Sequence, residues 1–64
     1  MKLVDARKNA RYSQQQAADH LGVSRPTYAK METNPEIVTI EDAKKLSKLY
    51  GVDVGDIFFD SDYS

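Results

Sequence analysis

The sequence contains no cysteine and no tryptophan, and only one histidine, two prolines and three glycines. Without cysteine there is neither a disulfide framework nor a thiolate metal site. The single histidine, His20, has no second His beside it, so it reads as a surface or rim residue rather than a ligand. No stretch approaches the roughly 20 apolar residues of a membrane span. The opening MKLVDARKNARY lacks the unbroken apolar run of a signal peptide. No glycine-rich phosphate loop and no supported nucleophile–base pair is present. The adjacent Glu41 and Asp42 fall at a predicted helix start, where the macrodipole accounts for them. The expectation is a cytoplasmic protein that is not an enzyme and takes no cofactor, metal, membrane or evident small-molecule ligand.

Sixty-four residues make one domain at most. A chain of this size buries only about 60% of its unfolded surface, so its core is marginal. The net charge of −1 conceals an asymmetry. Residues 1–30 carry six basic against two acidic residues, a local charge of +4, and residues 31–64 carry three against eight, a local charge of −5. Local potential, not net charge, governs attraction to phosphate. The basic half is therefore the half to search for an anionic partner.

That half holds SQQQAADHLGVSRPTYAKME, Ser13 to Glu32. Ser13 is an N-cap with Gln16 placed to complete a capping box, and Tyr12 stands where a hydrophobic staple belongs. Ala17, Ala18 and Leu21 share one helical face, and Gly22 ends the helix. Ser24 caps a second helix, with Pro26 in its first turn. At about 100° per residue, Ser24, Thr27, Tyr28 and Met31 form a side that can pack. Arg25, Pro26, Ala29 and Lys30 form the other, short and partly basic. A helix held by one face and offering Arg and Lys on the other suits the DNA major groove.

The remaining chain predicts three more helices. Lys2 to about Asn9 repeats apolar residues at helical spacing. Thr33-Asn34-Pro35 is a break, and Glu36 to Val38 is loop. Thr39 caps a fourth helix, whose apolar stripe is Ile40, Ala43, Leu46, Leu49 and Tyr50 and whose outer face is Lys44, Lys45 and Lys48. Gly51 ends it, and Asp53 caps a last helix from Val54 to about Phe59. Residues 60–64 read as a polar tail after a 1–59 domain. Phe59, Tyr63 and Val38 are apolar residues left over, and the segment around Phe58 and Phe59 is a candidate dimer contact.

These residues resemble the helix-turn-helix of the phage repressor and Cro, or Xre-type, family. The match runs from Ser13-Gln14 through Ala18 and Leu21-Gly22-Val23-Ser24 to Glu32. It extends to Arg7, and to Leu49-Tyr50-Gly51-Val52 followed by Asp56-Ile57-Phe58, so that it covers Leu3 to Phe59. The resemblance implies an all-α, compact five-helix bundle of lambda-repressor-like type. It implies a sequence-specific transcriptional regulator, most simply a Cro-like repressor that is itself the whole protein. Its partner would be double-stranded DNA, bound by a homodimer on a palindromic operator within the nucleoid of a bacterial or phage-infected cell. An antitoxin or restriction controller of the same fold, or a helical protein-interaction module without DNA binding, are the alternatives.

Residue by residue, Arg25 is the candidate for base readout, early in the recognition helix. Pro26 either touches a thymine methyl or stiffens the helix start. Lys30 reaches a base or a phosphate, Ser24 and Thr27 flank the contact, and Ala29 permits close approach. Gln14, and with it Gln15 and Arg11, are candidates for phosphate contact near a helix N-terminus. Arg7 and Glu32 read as an internal ion pair, and Tyr28 as a core aromatic with its hydroxyl at the rim. The chain departs from the family at Ala17, where Leu is usual, at Pro26, at Thr33-Asn34 in place of a glycine turn, and in the acidic loop from Glu36 to Glu41.

Overall fold

The computed structural model describes residues 1–58, and among them all regular structure is helical. The elements are α1 (Leu3–Asn9), α2 (Gln14–Leu21), α3 (Arg25–Thr33), α4 (Ile40–Tyr50) and α5 (Val54–Phe58), with a single 3-10 turn at Pro35–Ile37. The stretch read as loop from Glu36 to Val38 is thus partly helical. Pro35 supplies the fixed φ that starts the turn, and Ile37 and Val38 close it with hydrogen bonds to Asn34 and Pro35. Phe59, Tyr63 and the tail from residue 60 lie outside the described residues.

The helix ends follow from their caps. Ser13 Oγ accepts from the Gln16 N–H at 3.0 Å, and Gln16 Oε1 accepts from the Ser13 N–H at 2.8 Å, a complete capping box. Ser24 and Thr39 cap α3 and α4 by accepting from the N–H of Thr27 and Asp42. Gly22 and Gly51 end α2 and α4 in the left-handed region, φ 76° and 69°. Arg11 joins α1 to α2 in the same region, φ 65°, with no glycine to ease it. Its N–H and that of Tyr12 close the end of α1 on the carbonyls of Lys8 and Arg7.

α2 packs on α3 and α4, and α1 and α5 pack on each other and on α4. Their inner faces form one core of Leu3, Ala6, Ala17, Ala18, Leu21, Tyr28, Met31, Leu46, Tyr50 and Ile57. Ala17 is fully buried, in the same cluster as the bulky Tyr28 and Tyr50. With so small a residue at the usual staple partner's place, Tyr12 leans on Tyr50 instead, ring centroids 6.0 Å apart and tilted by 39°. Val38, left over in the sequence reading, packs against this core.

Ile40 does not join the core stripe of α4, because it is 74% exposed. It is the first residue of the helix and lies roughly 90° around the axis from the mean direction of Ala43, Leu46 and Tyr50. Ala43, Leu46 and Tyr50 are buried, and Leu49 is half-buried.

Candidate nucleic-acid interface

α3 is held from beneath by Tyr28 and Met31, both buried. Arg25, Pro26, Thr27 and Lys30 are exposed and Ala29 is half-buried. Ser24 and Thr27 do not pack as their helical angle predicts. They occupy the cap and the first turn, beyond the core, and the Ser24 hydroxyl donates to that of Thr27 at 2.9 Å.

The only carboxylate of α3, Glu32, is turned inward, with 7% of its side chain exposed. Arg7 Nε donates to its Oε2 at 2.6 Å, and Arg7 Nη1 donates to the Tyr12 carbonyl at 2.8 Å. Gln14 Nε2 donates to Glu32 Oε1 at 3.0 Å. Burial alone would raise the Glu32 pKa, but the bonds from Arg7 and Gln14 outweigh it and hold the carboxyl below its ordinary value. The hydrogen bond to Glu32 raises the Arg7 guanidinium in turn. The outward face of α3 is consequently cationic, with Arg25 and Lys30 and no anion.

A buried pair, Tyr28 and Tyr50, belongs to the core. The hydroxyls of Tyr28 and Tyr50 are 2.6 Å apart. The Tyr28 hydroxyl is therefore inside, not at the rim as the sequence suggests. Burial is the main cause that pushes both phenols above their ordinary value. No buried side-chain polar atom among the described residues lacks a partner.

At the start of α2, the candidate phosphate ligands are already engaged. One N–H of Gln14 goes to Glu32, and Gln15 Nε2 donates to Asp19 Oδ1 at 2.9 Å along the helix. Gln14 keeps its second amide hydrogen and its backbone N–H at the helix end. Arg11 and Lys8 are exposed beside it. Sequence reasoning missed the Gln14–Glu32 bond and the tyrosine pair. Glu32 stands four residues after Tyr28 and so on the packed side of α3, which was the available signal that its carboxylate faces inward. His20 is exposed on α2, and no group of His, Cys, Asp and Glu among the described residues is placed to hold a metal. No helix among them is long and apolar enough to cross a membrane.

The geometry is two short helices about a left-handed Gly22, the second presenting a cationic outer face. A family model described as "Helix-turn-helix" matches residues 3–57. The chain belongs to the helix-turn-helix family of phage repressor and Cro type. That is a family of DNA-binding regulators, not of enzymes. The chain is similar to the cryptic phage CTXphi transcriptional repressor RstR of Vibrio cholerae, 31% identical over 61 residues. The alignment takes in 95% of this chain and 55% of that protein, so the chain spans about half the length of the curated relative. No solved structure matches it.

Proposed function

We propose that the chain is a sequence-specific DNA-binding transcriptional repressor that lays α3 in the major groove. The observation that carries this reading is the inward turn of Glu32 onto Arg7 and Gln14, which leaves α3 an outer face of Arg25, Pro26, Ala29 and Lys30 with no anion. Arg25, in the first turn, forks onto the two acceptors of a guanine edge. Lys30 lies farther along and meets a base or a phosphate. Ala29 lets the helix approach, and Pro26 offers an apolar ring to a thymine methyl. Thr27 and Ser24 border the contact with their hydroxyls.

Gln14 and Gln15 open α2 beside the end of α3 and, with Arg11, take the phosphates that flank the groove. Gln14 uses its second amide hydrogen, held in place by Glu32. Backbone N–H groups at the start of α2 add to this contact. A domain this small buries little surface on DNA, so useful affinity calls for two copies on a palindrome, half-sites about 34 Å apart. Repression is then steric, the pair occupying an operator that polymerase needs. The phage repressor relative supports this sign of regulation.

The test is selection of bound sites from a random duplex pool at near-physiological salt, followed by the salt slope of the winning site. An enriched palindrome with a steep slope is expected. Weak, salt-labile binding without enrichment overturns the reading.

A further inference from the structure

Residues 31–64 carry eight acids and only three bases, Lys44, Lys45 and Lys48. All three bases lie on α4, within little more than one turn. All three are exposed, and they line one open concavity of about 430 Å³ together with Glu41, Ser47 and Val54. Spacings of three and four residues set Lys48 beside Lys45 and Lys44 on the helix surface. None of the three ammonium groups forms an ion pair or a hydrogen bond among the described residues. The half-buried Val54, first residue of α5, adds apolar surface to the lining, as do the methylene stems of the lysines.

We propose that this concavity docks an acidic peptide segment of another protein, in which one apolar side chain is flanked by carboxylates. The apolar side chain lies against Val54 and the lysine stems, and the carboxylates take the ammonium groups around it. Charge complementarity selects this class of partner. The three lysines span only about 6 Å of helix axis. Acids stand on either side of them in the chain, Glu41 and Asp42 before and Asp53 and Asp56 after. A DNA duplex carries a charge about every 1.7 Å of its axis and would run on from the lysines into those acids. A short acidic peptide ends within the cationic stretch.

The concavity is built from α4 and α5 alone, so a peptide held there leaves the outer side of α3 uncovered. The inference goes beyond the repressor reading and does not depend on it. Docking is weak and salt-sensitive because the lysines are exposed, with a dissociation constant of about 0.1–1 mM for a pentapeptide.

Titration of the full chain with the blocked pentapeptide Glu-Asp-Leu-Asp-Glu, at low salt and followed by backbone amide chemical shifts, tests it. Saturable shifts are expected at Lys44, Lys45, Ser47, Lys48 and Val54. The uncharged Gln-Asn-Leu-Asn-Gln and the side-chain-deleted Glu-Asp-Gly-Asp-Glu are each expected to bind at least about fivefold more weakly, since each removes one half of the complementarity. Neither peptide alters the protein, so the test does not hang on a variant that folds. Lys45→Glu combined with Lys48→Glu is expected to lose the shifts with an unchanged circular dichroism spectrum, and Lys45→Arg combined with Lys48→Arg to keep them. Shifts centred on Arg25 and Lys30, equal binding of the uncharged peptide, or unchanged binding by the double glutamate variant overturns the proposal. A random-sequence duplex that shifts the α4 residues more strongly than the peptide does overturns it in favour of nucleic acid.

Discussion

Gln14 Nε2 lies 3.0 Å from Glu32 Oε1, so the first residue of α2 is tied by its side chain to the last turn of α3. The other oxygen of the same carboxylate takes Arg7 from α1. One half-buried acid thus fixes three helices against each other and sets the angle at which α3 is presented. An ion pair of this kind fixes orientation more than it adds stability, but losing one partner strands the other.

Glu32→Gln is expected to destabilise the fold by roughly 3 kcal/mol, because it leaves the Arg7 charge without its counter-ion. It also changes the acid limb. Burial opposes ionisation of Glu32, the bonds from Arg7 and Gln14 favour it, and its folded pKa is lowered on balance. The stability it contributes is therefore present above the unfolded carboxylate value of about 4.3 and is lost as pH falls through the folded value. Urea unfolding from pH 7 to pH 2 checks this. The gap between wild type and Glu32→Gln should be widest near neutrality and close in acid.

The tyrosine pair sets the opposite limb. Burial raises both Tyr28 and Tyr50, so the stability tied to their neutral forms is intact below the unfolded value of about 10 and is lost as pH rises beyond it. Tyr50→Phe alone should cost about 1 kcal/mol, since it leaves the buried Tyr28 hydroxyl without its 2.6 Å partner. Replacing both by Phe should be nearly neutral at pH 7 and should flatten the alkaline limb. Thermal melts at pH 7 and pH 11 of the three proteins decide it.

The elements were readable because this chain marks its helix ends with side chains that act locally. Ser13, Ser24 and Thr39 cap, and Gly22 and Gly51 terminate, each through bonds within a few residues. The outward set Arg25, Pro26, Ala29 and Lys30 was readable for the same reason, since helical angle alone separates it from Tyr28 and Met31. Tertiary relations were harder. Ile40 has the right spacing for the stripe of α4, but it sits at the helix start and to one side, where none of the described residues covers it. Gln14 looks like a free polar residue until α3 brings Glu32 to it. Arg11 adopts φ 65° without the glycine or asparagine that would announce it.

That last residue offers a separation of folding from binding. A left-handed arginine costs about 1–2 kcal/mol relative to its ordinary conformations. Glycine removes this strain but loses more chain entropy on folding, roughly 0.5–1 kcal/mol. Arg11→Gly should therefore be about as stable as wild type, or more stable by up to about 1 kcal/mol. If Arg11 touches phosphate, the same variant should bind operator more weakly and with a salt slope smaller by about one per copy bound. Chemical denaturation and binding isotherms at several salt concentrations give the two readouts independently.

Arg25 and Lys30 should fail in different ways when cut back to alanine. Both are exposed on α3, so neither change should unfold the domain. A bidentate contact from Arg25 to guanine carries sequence information, so its loss should relax preference at one base pair of each half-site by about 1–3 kcal/mol. A phosphate contact from Lys30 carries none. Its loss should weaken binding evenly across sequences and reduce the salt slope by about one per copy bound. Competition assays with single-base operator variants, each run at several salt concentrations, distinguish the two roles. Even weakening from Arg25→Ala, with the base preference unchanged, would place Arg25 on the backbone and move base readout to Lys30.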